Sequence, residues 1–135
     1  MIVLDASVAV KWFVGGEPLV KEASAVLDHV ERAPDDFVVP ELFMNEVLAV
    51  LAKLGDKARV TEAMTLMEEL GIPRVGNGHE LLQAAAEVAC DWGLSGNDAT
   101  YVALARLSGA KWLTADARAA KKVRQSSLVM LLGAR

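Results

Sequence analysis

The chain of 135 residues has a net charge of −4 and is 53% hydrophobic, which fits one domain able to bury roughly two thirds of its unfolded surface without a disulfide. No apolar run approaches the roughly 18 to 20 residues that cross a bilayer, so a spanning helix is excluded. One cysteine, Cys90, excludes an intrachain disulfide and a cysteine-rich zinc cluster, and its expected place is the core.

In chain order, strand-like runs fall near Met1 to Leu4, Phe37 to Val39, Ile72 to Val75, Lys111 to Thr114 and Leu128 to Leu132. Helical periodicity fills the intervals. Two helices, about Glu41 to Leu54 and Asp56 to Leu70, meet at Gly55, and two more, about Glu80 to Trp92 and Asn97 to Ser108, precede the fourth strand. This alternation predicts an α/β domain over residues 1–135, with a mostly parallel sheet of about five strands and helices on both faces. Pro18, Pro34, Pro40 and Pro73 sit at predicted element edges, and Gly71 and Gly109 follow helices as caps do. The opening Met1-Ile2-Val3-Leu4 run shows neither a basic leader nor a cleavage site, so the expected compartment is the cytoplasm.

Four acids occupy positions where an isolated carboxylate is costly. Asp5 ends the first strand and Asp116 follows Trp112-Leu113-Thr114-Ala115; ligands collect at strand carboxyl ends of open parallel sheets. Glu46 borders the apolar stripe Phe43, Val47, Val50, Leu51 and Leu54, whereas Glu62, Glu68 and Glu69 read as surface charge. Asp98 aligns at helical spacing with Val102 and Ala105. Each acid has a simpler explanation: Asp5 and Asp116 as helix N-caps, Asp98 in a capping box with Ser95, Glu46 in an ion pair with an Arg or Lys. Together they would couple their titrations and hold protons unless a cation intervened, and Mg²⁺ or Mn²⁺ prefers such oxygen ligands.

Other chemistries lose support. Gly76-Asn77-Gly78 lacks the third glycine of a dinucleotide fingerprint, position 81 being Leu81, and His79-Glu80 lacks a second zinc-ligating histidine, since His29 lies in a separate helix. There is no phosphate-binding glycine loop and no nucleophile elbow. Trp12, Trp92 and Trp112 read as packing residues. Charge is divided unevenly: residues 1–98 hold 7 basic and 17 acidic side chains, residues 99–135 hold 7 and 1. Arg118, Lys121, Lys122, Arg124 and Arg135 form either a solvated surface or a set of contacts to phosphates.

The order and surroundings of the four acids resemble the PIN-domain nucleases, particularly the VapC-type ribonuclease toxins of toxin–antitoxin pairs. The resemblance rests on Asp5-Ala6-Ser7 after a strand, Asn45-Glu46-Val47-Leu48, Asp98-Ala99 opening an aliphatic helix, and Thr114-Ala115-Asp116. Asn97 departs from the pattern, since many relatives place an aromatic residue before that acid. The resemblance implies that Asp5, Glu46, Asp98 and Asp116 hold one or two Mg²⁺ or Mn²⁺ ions for hydrolysis of RNA phosphodiesters, with Ser7, Asn45 and Thr114 supporting them. It also implies an antitoxin partner and a homodimer; the apolar Met64, Leu66 and Met67 form either a surface for such a contact or simply core. A non-catalytic PIN-like module that binds RNA or protein is the alternative. A phosphoacceptor signalling receiver fits worse, because Arg74-Val75-Gly76-Asn77 supplies no acid at the third strand's end.

Overall fold

The structure, a computed structural model, describes residues 1–134; Arg135, counted above with the basic tail, lies outside them. Five strands, β1 (Ile2–Leu4), β2 (Phe37–Pro40), β3 (Arg74–Val75), β4 (Lys111–Thr114) and β5 (Val129–Leu131), form one sheet in the order β3-β2-β1-β4-β5. Every pairing is parallel. Seven α-helices are present among the described residues: α1 (Ala6–Ala9), α2 (Val20–Arg32), α3 (Leu42–Ala52), α4 (Lys57–Glu69), α5 (His79–Trp92), α6 (Gly96–Ser108) and α7 (Ala117–Lys122). Consecutive residues of β2 and β4 are buried, as they must be when helices cover both faces and neither side meets water.

The centre of the molecule is β1 and β4 with α6 across them. Val3, Leu4, Phe37, Tyr101, Val102 and Trp112 are all at or near zero exposure. Residues 99–105 of α6 are buried on every side, because this helix lies between the sheet and α5. A helix in that position needs small residues to approach closely, and Ala99, Ala103 and Ala105 supply them.

Several boundaries differ from the expectation. The third strand shortens to Arg74–Val75 at the sheet edge, and Ser126–Leu128 is a 3-10 turn before β5. On α3 the buried face is Phe43, Val47 and Leu51; Val50 and Leu54 are each 40% exposed. The expected five-residue stripe was too wide, because α3 is covered along one line only. Cys90 is exposed rather than in the core. The inward face of α5 is Leu81, Ala85 and Val88, and a residue two positions past Val88 points roughly 200° away from it. Met67 is buried, Met64 half-buried and Leu66 46% exposed. Gly71 and Gly109 adopt φ of 69° and 64° after α4 and α6, the left-handed geometry of helix ends.

Candidate active site

The strand order creates the location. From β1 the chain builds outward through β2 and β3, then returns to place β4 on the opposite side of β1. The carboxyl ends of β1 and β4 therefore flank the crevice where the winding reverses, the usual ligand position in open α/β sheets. Asp5 follows β1 directly and Asp116 lies two residues beyond β4.

Asp5 is 7% exposed and tightly held. Its Oδ2 accepts the Ser7 backbone N–H at 3.0 Å, capping α1, and the Thr114 hydroxyl at 3.4 Å. Its Oδ1 accepts the Trp112 ring N–H at 3.1 Å. Register explains this: Val3 pairs with Trp112, so period-two alternation puts Trp112, Thr114 and Asp5 on one face of the sheet. The Ser7 and Thr114 hydroxyls lie 3.3 Å apart, and each also accepts a backbone N–H, from Ala115 at 2.9 Å and Asp116 at 3.1 Å respectively. Ser7 and Thr114 thus pin the loop that carries Asp116. Asp116 itself caps α7, its Oδ1 accepting from Ala119 N–H at 3.0 Å.

Glu46 arrives from α3 and has no Arg or Lys partner among the described residues. Its Oε1 accepts the Tyr101 hydroxyl at 2.6 Å and its Oε2 the Asn97 side-chain amide at 3.3 Å. Asp98, half-buried in the first turn of α6, donates its own N–H to Ser95 Oγ at 3.1 Å. Ser95 therefore caps α6, and its side chain also favours the charged form of Asp98. Tyr101, not singled out from sequence, and Trp112, read there as packing, turn out to touch the acids. The helical spacing of Asp98 and Tyr101, three apart on one face, was the available signal for the first.

The charges act on one another. Burial pushes the Asp5 carboxyl above its ordinary range, Ser7 opposes this, and the nearby Glu46 charge adds to the rise. Asp98 is likewise raised, first by burial and then by Asp5, with Asp116 adding and Ser95 and Lys122 opposing. The Tyr101 hydroxyl is raised by burial and by the charges of Asp5 and Glu46, so it remains a donor. Among the described residues the ion pairs are His29–Asp36 and Arg74–Glu68; none of the four acids has a cationic side chain within pairing distance.

Asn45 is exposed and bonds to none of the acids. With Glu41, Leu42, Glu46, Ala49, Asn77 and Asn97 it lines a recess of about 450 Å³. Arg118, Lys121, Lys122 and Arg124 are all exposed on or just beyond α7, and Lys122 is near enough to Asp98 to favour its charged form. A larger recess of about 550 Å³, lined by Trp12, Phe13, Leu27, Glu31, Leu66, Glu69 and Leu70, contains none of the four acids.

The donor set suits a hard cation, being carboxylate oxygen throughout and lacking a positive neighbour in contact. Among the described residues no three acidic, histidine or cysteine side chains close into a ready-made cage. An open arrangement is compatible with Mg²⁺, which keeps several waters and takes few protein ligands.

A search of curated proteins finds no significant match. Several solved structures share the fold. VapC20 of Mycobacterium tuberculosis, described as a sarcin–ricin loop cleaving toxin, superposes with a TM-score of 0.72 at 16% identity, over 91% of this chain and 95% of that one. A toxin–antitoxin complex from Klebsiella pneumoniae gives 0.70 at 15%, over 96% of each chain. FitAcB of Neisseria gonorrhoeae gives 0.66 at 19%, over 86% and 88%. At these identities the likeness concerns fold alone. The sequence supplies the rest: the PIN-domain family model matches residues 2–125, a span that includes β1, β4 and all four crevice acids, and so the chain belongs to the PIN-domain family.

Proposed function

We propose that this protein is a Mg²⁺- or Mn²⁺-dependent endoribonuclease and the toxin of a toxin–antitoxin pair. The observation that carries the reading is the set of four carboxylates at the β1/β4 crevice, two of them raised by burial and mutual repulsion and none paired with a cation. Carboxylates held so near one another favour protonation or a bound positive ion. The likeness in fold to a toxin described as cleaving the sarcin–ricin loop supports RNA as substrate.

Asp5, Glu46, Asp98 and Asp116 would hold the ion, and Ser7 and Thr114 would keep Asp5 and the Asp116 loop in place through their hydroxyls. Asn45 would line the approach beside Glu46. When bound, a divalent ion supplies Lewis acidity toward the phosphodiester and its attacking water. The chain's own part is to orient the carboxylates and to neutralise the incoming backbone with Arg118, Lys121, Lys122 and Arg124. No side-chain nucleophile stands free in the crevice, so water is the attacking group in this reading.

The apolar recess around Trp12, Phe13 and Leu66 offers the antitoxin a surface, and a homodimer in the cytoplasm completes the assembly implied by the family. The deciding experiment is RNA cleavage by purified protein with and without excess EDTA, beside Asp5→Asn. Cleavage that survives the chelator and the substitution rules out the metal mechanism. Tight RNA binding without cleavage in Mg²⁺ or Mn²⁺ returns the protein to the non-catalytic alternative.

A further inference from the structure

Two buried aromatic side chains each hold one of the crevice acids, and they also contact one another. Trp112 donates to Asp5 at 3.1 Å, Tyr101 donates to Glu46 at 2.6 Å, and both residues are fully buried. Their ring centroids lie 6.1 Å apart with planes inclined by 22°, an offset stack of the favourable kind. We propose that Tyr101 and Trp112 form one positioning unit that sets the spacing and orientation of Glu46 and Asp5 toward a divalent ion, an inference that rests on the metal-dependent reading of the site.

The architecture gives the unit its reach. Trp112 rises from β4 on the face it shares with Asp5, while Tyr101 descends from α6 and meets Glu46 coming from α3. Two acids 41 residues apart in sequence, on separate elements, are thereby referred to a single rigid pair inside the core. A buried ring N–H or phenol needs an acceptor somewhere, and a carbonyl would satisfy that need: Trp12 donates to the Ala23 carbonyl at 2.8 Å. Trp112 and Tyr101 instead take site carboxylates. On Asp5 the Trp112 donor stands alone on Oδ1, Oδ2 taking the Ser7 N–H and the Thr114 hydroxyl, so Oδ1 keeps a lone pair for a cation. Glu46 Oε2 has only the long Asn97 contact and is the freer oxygen. Partners of this sort behind a metal ligand set its orientation, and their removal typically weakens metal binding. Neither aromatic residue is a catalytic group.

The test uses the full chain with Tyr101→Phe and Trp112→Phe, which keep a ring in the stack and delete the donor. Mn²⁺ binding by calorimetry should weaken about 10- to 100-fold in each, while circular dichroism shows the metal-free fold retained. The double variant should lose less than the product of the single losses, because one unit has been broken twice. A second readout holds if a variant folds poorly. In a Trp12→Phe, Trp92→Phe background Trp112 is the only tryptophan, and its emission should shift when Mg²⁺ is added, through its bond to Asp5. Wild-type Mn²⁺ binding with unchanged affinity in both single variants overturns the positioning role and leaves the metal reading standing. So does a Trp112 emission indifferent to Mg²⁺ in protein that binds it. Absence of Mn²⁺ and Mg²⁺ binding by the wild type overturns the metal reading itself, and the positioning role with it.

Discussion

Asp98 separates function from stability more cleanly than any other acid here. Its backbone N–H carries the Ser95 cap, so Asp98→Asn removes charge while keeping that cap at the start of α6. The variant should be inactive on RNA yet melt at or above the wild-type temperature when metal-free, since a repulsive charge has gone. Calorimetric melting checks it; a cooperative collapse would give Asp98 a structural role instead. Burial, with this repulsion adding to it, fixes a pH dependence. Asp5 and Asp98 both titrate above the ordinary value of 3.8 in the folded chain, so between those raised values and 3.8 the folded state binds protons that the unfolded state has not yet taken up. Acidification through that window therefore stabilises the metal-free protein, and the gain levels off near the ordinary value. With saturating Mg²⁺ the sign should reverse, because protons then compete with the ion. Melting curves measured at successive pH values, with and without Mg²⁺, show whether the two trends diverge; parallel trends would mean that no cation engages these carboxylates.

At the scale of the element, α6 and α7 offer separate tests. Gly109 ends α6 at φ 64°, and a Cβ built there meets nothing within 4 Å, so Gly109→Ala isolates backbone conformation from crowding. It should cost about 1–2 kcal/mol in urea unfolding, and no loss would mean the helix end relaxes freely. On α7, replacing Lys121 and Lys122 with Gln should weaken RNA binding in an Asp5→Asn background. Each lost phosphate contact should flatten the log–log salt slope by about 0.7; an unchanged slope makes the basic tail plain solvated surface. Elements such as these were readable in advance because their signals are local. Gly109, Ser95 and the run Lys111 to Thr114 each announce a boundary within a few residues. What was hidden depends on neighbours distant in sequence. Nothing around Val50 or Leu54 reveals that no helix covers them, nothing near Cys90 reveals which face of α5 lies inward, and the partner of Glu46 is a tyrosine 55 residues away. The acids themselves were visible as costly carboxylates at strand ends, while their hydrogen-bond partners required the register of β1 against β4.

For the whole molecule, ion binding should appear as stability. A cation that binds only the folded chain at about 100 times its dissociation constant adds about 2.7 kcal/mol, so the melting temperature should climb with Mg²⁺ concentration and fall back with EDTA. A melting temperature indifferent to both would count against the crevice as an ion site. A last consequence concerns time rather than energy. The bonds from Asp5 and Ser7 to Trp112, Thr114 and Ala115 span 107 to 109 residues, and β1 cannot gain its neighbour β4 until those residues exist. Contacts so distant along the chain form slowly and together. A polypeptide growing at about 5–20 residues per second therefore carries Asp5, Glu46 and Asp98 for about 1–4 s before Asp116 is added. Topology alone therefore keeps the nascent crevice incomplete until the strand that carries Trp112 and Thr114 has emerged.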